Sequence, residues 1–491
     1  MKKFVVAILT CILILTSTSC SKGDDINPDI ITGSGILELA EPKEESIPQA
    51  SYAPESPDSN LSLQSPQSNG GAAGSSLFQA TSSQTVSSLV SGSLASSQAS
   101  SQQQSSSSSS GSSSGNSDQF PETPGDSSEV KSVWISYLEL DSLLKGKSKS
   151  QFTSNIDSVF TNAVNFGLNT VFVQVRPFGD AIYPSDLFPW SYLATGTEGK
   201  DPGFDPLAIM VHMAHNKGLK IEAWINPYRV RSDSSSRPLS SDNQAQIWLN
   251  EGNDSVVKYG NIISYNPARP QARKLIIDGV IEIVQNYDVD GIHFDDYFYP
   301  TTDAAFDQAA YNEYKSSGGS MSLSNWRMEN VNQLVRDVYT AVKSSGGGSV
   351  RFGISPQANI ENNYNSQYSD VKKWMSNTGY LDYICPQVYF GFDNSAYPFE
   401  STVNLWNNLI KVNSVDLYIG LSPYKIGQTD QWAGSGKNEW LNTTDILKRM
   451  VLCSRQASKY QGFSLYRYDS LFGSGISNQV KTERENLKGI L

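Results

Sequence analysis

The chain has 491 residues and a formal net charge of −12, with 49 Asp and Glu against 37 Lys and Arg. An acidic chain without basic clusters argues against nucleic acid as a partner. Of its 4 cysteines, Cys11 and Cys20 lie near the N-terminus, so Cys385 and Cys453 are too few for a disulfide scaffold, and no C-x-x-C pair is present to hold a metal.

In chain order, Lys2 and Lys3 precede the apolar run Phe4–Leu15, which is short for a membrane span. Ser17, Thr18 and Ser19 then lead into Cys20. Residues 1–19 resemble a bacterial lipoprotein signal, although Ser17 stands where such signals usually carry Leu. The resemblance implies export, lipid attachment at Cys20 and anchoring to the outer face of the cell membrane, in the bacterial cell envelope. Residues 20–128 are rich in Ser, Gln, Gly and Pro, as in SSQASSQQQSSSSSSGSSSGNS at 96–117. Such a segment cannot bury a core and is predicted to be a disordered linker. As a random coil, about 100 residues span on the order of 60 Å, roughly the depth of a cell wall.

Periodic structure begins near Val130, and residues 129–491 are predicted to fold as one domain. The run SVWISY (132–137) reads as a strand, followed by a helix at 151–166 with Gly167 as its cap. TVFVQVR (170–176) pairs with a helix at 205–217, and KIEAWINPYR (220–229) with a helix at 270–287. GIHFDDYF (291–298) precedes a helix at 324–344, and RFGISPQ (351–357) a helix at 367–377. YICPQVYF (383–390), DLYIGLSPY (416–424) and QGFSLYRY (461–468) lead into helices at 401–412, 443–457 and 477–489. This strict alternation predicts an α/β fold of the (β/α)8 TIM-barrel class. A doubly wound sheet would carry a glycine-rich phosphate loop after its first strand. SYLELDSLLKGK, which follows that strand, holds none.

Alternation of side chains along a strand predicts what faces the barrel axis. On the third strand these are Glu222, Trp224 and Asn226; on the second, Gln174 and Arg176; on the fourth, His293 and Asp295. The fifth offers Ser355 and Gln357 and the sixth Gln387 and Tyr389. A structural barrel fills its axis with Val, Ile and Leu. Here polar, aromatic and ionisable residues recur at the C-terminal ends of several strands, where barrel enzymes place their chemistry. Asp180, Tyr183, Trp190, Tyr192, Tyr228, Arg229, Tyr297 and Tyr299 fall in the adjoining loops. Aromatic rings stack on apolar sugar faces. Asp296 follows Asp295 directly and faces the mouth only if the chain has already turned. Paired carboxylates in an aromatic mouth suit glycoside hydrolysis, one attacking or activating water and the other protonating the leaving oxygen.

Three segments, VQVRPFGDAIYPSDLFPWS (173–191), EAWINPYRVR (222–231) and DGIHFDDYFYP (290–300), carry a family resemblance, supported by FGISPQ (352–357) and PQVYF (386–390). With them the chain resembles the glycosyl-hydrolase-like family ten of bacterial lipoproteins and wall-associated proteins. The resemblance implies a (β/α)8 barrel, glycosidase activity and, from some members, action on peptidoglycan glycan strands stripped of stem peptides. DGIHFDD is also similar to the fourth strand of the α-amylase superfamily, which places Asp295 at the nucleophile position and His293 at that of an arginine. That superfamily carries its acid on the fifth strand, where this chain has Gln357. The acid therefore stays open among Glu222, favoured by parity, and Asp180, Asp296, Asp393 and Asp469. Arg176, Asp180, Tyr183, Trp190, Trp224, Asn226, Tyr228, Arg229, His293, Tyr297, Gln387 and Tyr389 are the expected substrate contacts.

No cofactor or metal is expected, since Asn226, Asp295 and Asp296 make an incomplete oxygen set. A metal-dependent deacetylase needs a histidine pair beside its Asp-Asp, and His212 and His215 belong at the far end of the barrel. A non-catalytic glycan-binding barrel is the alternative: it keeps the aromatics and needs no acid.

Overall fold

The computed structural model describes residues 128–232, 237–346 and 348–491. The expected signal peptide, Cys20 and the linker up to residue 127 lie outside the described residues. Among those described, no helix is long and apolar enough to cross a membrane.

Eight parallel strands close into a barrel: β1 (Val130–Ile135), β2 (Thr170–Arg176), β3 (Lys220–Ile225), β7 (Gly291–Phe294), β8 (Arg351–Ile354), β9 (Tyr383–Ile384), β10 (Asp416–Leu421) and β11 (Tyr460–Leu465). Each expected strand is found, and all but β2, which keeps its expected span, end short at the C-terminal side. The residues that turn toward the mouth there leave the ladder, as at Asp295, just past β7. Helices form where the sequence supplies caps. Ser148 closes a capping box with Gln151 ahead of Lys149–Phe166, and Gly167 ends that helix at φ 108. Pro270 opens the helix Pro270–Asn286 at a position that needs no N–H.

The loop after β3 carries structure that the periodicity did not show: an antiparallel sheet of β4 (Arg229–Arg231), β6 (Ile262–Tyr265) and β5 (Val256–Tyr259), plus the helix Gln244–Glu251. The helix expected at 367–377 is confined to Val371–Ser376, and a separate short helix, Ile360–Asn365, precedes it.

Two apolar layers hold the domain. Val171, Val173 and Val175 of β2 pack outward into the main core under the helices, each stabilising by about 1.5–3 kcal/mol on burial. The second layer fills the barrel axis with Trp134, Phe172, Trp224, Tyr383, Cys385 and Tyr418. Tyr383 stacks on Tyr418 at 4.4 Å and Phe172 on His293 at 4.5 Å. Such bulk fits because glycines face it. A Cβ on Gly353 would lie 2.1 Å from the Tyr383 ring, and one on Gly291 would lie 2.6 Å from the Glu222 carboxyl carbon. Cys385 and Cys453 are both buried and free.

Candidate active site

Register fixes the depth of each axial side chain. Glu222 is level with Gly291, Trp224 with His293, and Ile225 with Phe294, so Asn226 and Asp295 share the top layer. Asp295 is 3% exposed. Its Oδ2 accepts from Trp224 Nε1 at 3.2 Å and from Asn226 Nδ2, and its Oδ1 from the Tyr297 backbone N–H at 3.2 Å. Behind Asn226, Gln174 Nε2 donates to Asn226 Oδ1 at 2.6 Å, and Gln174 Oε1 accepts from the Tyr137 N–H at 2.9 Å. A backbone donor thereby orients two amides in series.

Asp296 has turned inward, since its Oδ1 accepts from Gln387 Nε2 at 3.1 Å. Burial first, then the neighbouring Asp296 charge, push Asp295 up to about 8, and the Arg229 guanidinium pulls the other way. Arg229 donates to the Pro177 carbonyl at 3.0 Å and lies over the Tyr297 and Phe178 rings at 4.6 and 4.9 Å. This brings Asp295, Asp296, Trp224, Asn226, Arg229, Tyr297 and Gln387 together.

An aromatic wall continues from Gln387. Tyr389 stacks on Tyr466 at 5.9 Å and meets Tyr424 edge-on at 5.9 Å. All three rings are half-buried. Lys425 Nζ fastens the Tyr424 loop by donating to the Tyr389 carbonyl at 2.8 Å and pairing with Asp430 at 2.7 Å. Trp432, farther along that loop, is 58% exposed. Inward parity on β11 and the loop after β10 was the signal that could have found Tyr466 and Tyr424.

His293 and Glu222 lie beneath the mouth. The Trp134 indole, which can only donate, gives its N–H to His293 Nε2 at 3.1 Å. The ring proton therefore sits on Nδ1, 2.7 Å from the Tyr383 hydroxyl, which in turn donates to Glu222 Oε2 at 2.5 Å. Burial lowers His293 to about 3, in keeping with a neutral ring. Burial raises Glu222 to about 7, partly offset by the Tyr383 hydrogen bond and the Arg351 charge. Four residues of rise, about 13 Å, separate Glu222 from the Asp295 layer, with Trp224 and His293 between. Glu222 therefore faces the axis, as its parity predicts, but lies beneath Trp224 and His293, a layer below the mouth where it was expected.

Arg176 is a second correction. The β2–β3 register runs Gln174↔Trp224, then Arg176↔Ile225, so two residues of β2 span one of β3. Arg176 therefore takes the outward parity of Ile225 and stacks on Phe188, 3.8 Å from the ring centre. Tyr183 and Tyr228 are wholly buried in the main core, edge-on to Tyr287 and Phe298 at 5.8 and 6.5 Å, rather than lining the mouth. Asp180 is buried as well. It accepts from the Tyr192 N–H at 3.3 Å, and burial followed by the Glu198 charge raises it to about 7. Trp190 is half-buried and bridges to Ala181. His215 ends its helix against Asp290, at the start of β7, with 3.1 Å between them. Among the described residues, no three His, Cys, Asp or Glu side chains gather as a metal-binding group.

The family model described as glycosyl hydrolase-like 10 matches residues 129–434. Glycosyl hydrolase YngK of Bacillus subtilis is 35% identical over 345 residues, covering 66% of this chain and 66% of its own length. Glycosyl hydrolase DigH of Escherichia coli K12 is 32% identical over 392 residues, covering 72% of this chain and 86% of its own length. Among solved structures, the PgaB (BpsB) glycoside hydrolase domain from Bordetella bronchiseptica aligns with a TM-score of 0.46 at 12% identity, over 73% of this chain and 99% of that one. At that level nothing about its chemistry carries over. With its (β/α)8 barrel and an aspartate pair at the mouth, the chain belongs to the glycosyl hydrolase-like 10 family, a family of glycoside hydrolases.

Proposed function

We propose that this glycoside hydrolase cuts a cell-wall or extracellular polysaccharide, with peptidoglycan glycan strands as its substrate, while tethered to the outer face of the membrane through Cys20. The observation that carries the chemistry is the Asp295–Asp296 pair at the end of β7, held by oriented donors beside a wall of tyrosines. Two adjacent, poorly solvated carboxyls resist carrying two charges, so near neutral pH the pair holds one proton. Three N–H donors converge on Asp295 and orient its carboxyl toward the mouth. Asp295 then acts as nucleophile or base toward the anomeric carbon, and Asp296 protonates the leaving oxygen. Tyr389, Tyr424 and Tyr466 offer ring faces to successive sugars.

The test is incubation of the protein lacking residues 1–20 with intact and peptide-stripped peptidoglycan, followed by mass spectrometry of the soluble fragments. Short glycans released by wild type and not by Asp295→Asn support the assignment. Co-sedimentation with the wall and no release would replace it with a non-catalytic glycan-binding barrel.

A further inference from the structure

Arg176 is buried at 1% exposure, and none of its three guanidinium nitrogens has a hydrogen-bond partner. Its guanidinium is packed between the Phe188 face and the helix backbone at Gly279, where a Cβ would lie 2.4 Å from Nη1. Two tyrosine hydroxyls close to this charge, on Tyr183 and Tyr265, are also buried without a partner. The Tyr183 hydroxyl lies beside the guanidinium, close enough for the Arg176 charge to act on it.

Two neighbouring carboxylates, Glu282 and Glu198, are committed elsewhere. Glu282, on the same helix as Gly279, takes Ser185 Oγ at 2.6 Å and the Asp186 N–H at 2.7 Å. Glu198 takes Asn243 at 2.8 Å and the Ser240 N–H at 3.1 Å. Asp180 turns Oδ2 to the Tyr192 N–H, while its buried Oδ1 has no hydrogen-bond partner. Among the described residues, no carboxylate forms an ion pair with Arg176. Arginine does not deprotonate to escape burial. Leaving such a charge uncompensated is strongly destabilising.

We propose that Arg176, Tyr183 and Tyr265 form a buried site for a small monovalent anion, chloride in an extracellular setting. The guanidinium supplies the charge and N–H donors, and each hydroxyl supplies one more. Internal water would satisfy the donors but would leave the charge uncompensated. The site also touches the catalytic end of the barrel, because the Arg176 carbonyl accepts the Asn226 N–H at 3.0 Å and Asn226 holds Asp295. Bound anion therefore braces the β2–β3 seam beneath the candidate active site.

The experiment follows thermal unfolding of the protein in sodium gluconate at constant ionic strength while chloride replaces gluconate. Wild type should show a saturable rise in Tm, because a ligand that binds only the folded state stabilises it by mass action. Tyr265→Phe, a mild change that folds, should shift the saturation midpoint by about tenfold, and Arg176→Gln should abolish the response. Crystals grown in bromide should show anomalous density at the guanidinium. Identical unfolding in gluconate and chloride, or an unchanged midpoint in Tyr265→Phe, overturns the proposal and leaves internal water as the neighbour of Arg176. The unfolding readout is independent of whether the enzyme cuts peptidoglycan.

Discussion

Gln174 Nε2 stands 2.6 Å from Asn226 Oδ1, so Asn226 must present its NH2 group, and not its oxygen, to Asp295. The Tyr137 backbone N–H on Gln174 Oε1 sets this direction. Gln174→Glu removes the donor and turns the Asn226 oxygen toward Asp295, acceptor against acceptor. We expect kcat to fall by about 100-fold with KM little changed, since the lost hydrogen bond positions a reacting group. Steady-state kinetics on a soluble glycan, beside a Tm within a few degrees of wild type, checks it.

Asp295→Asn keeps the shape and the Tyr297 contact but removes the charge. Turnover should drop by about 1,000-fold or more. Thermal stability at alkaline pH should stay within a few degrees of wild type, because loss of a poorly solvated charge offsets the amide NH2 set against the Trp224 and Asn226 donors. A variant with wild-type kcat would remove Asp295 from the chemistry.

The pH dependence of stability follows from groups whose folded values are raised: Asp295 to about 8, and Glu222, Asp180 and Glu483 to about 7. Their unfolded values lie near 4. Between these limits the folded state binds more protons than the unfolded state, so stability is present at low pH and is lost as pH rises through 7 to 8. Tm measured by calorimetry should therefore decline from pH 5 to pH 9. Asp295→Asn should flatten the part of that decline nearest pH 8.

Glu222→Gln tests the depth of the lower carboxyl. A Gln oxygen still accepts from Tyr383, and the buried charge disappears. Activity should stay within several-fold of wild type, with Tm at pH 8 equal or higher. A 100-fold loss of kcat would return Glu222 to the reaction.

Gly353→Ala places a methyl 2.1 Å from the Tyr383 ring, inside a stack of four aromatic groups that cannot shift independently. Overpacking of this kind costs about 1–3 kcal/mol or more. Urea denaturation should show a lowered midpoint at unchanged m.

The alternation, the closure into a barrel and Asp295 at a strand end are all legible in the sequence. These depend on periods of 2 and 3.6 and on the residue types that cap a helix, which are properties of local sequence. The match with glycosyl hydrolase-like 10 rests on equally local motifs. Parity alone also indicated that Asn226 and Trp224 face the axis with Asp295.

Tertiary structure decided depth and hand. Whether Glu222 reaches the mouth depends on how β3 is staggered against β7, and no pattern within one strand records that stagger. Arg176 was misplaced because one extra residue in the β2–β3 pairing inverts every side chain beyond it. Asp296 faces the mouth because the chain leaves the ladder after Phe294, letting Gln387, just past β9 and 91 residues along the chain, reach its carboxylate. Periodicity sets which side chains share a face; only the closed barrel, through register and bulge, sets which of them meet.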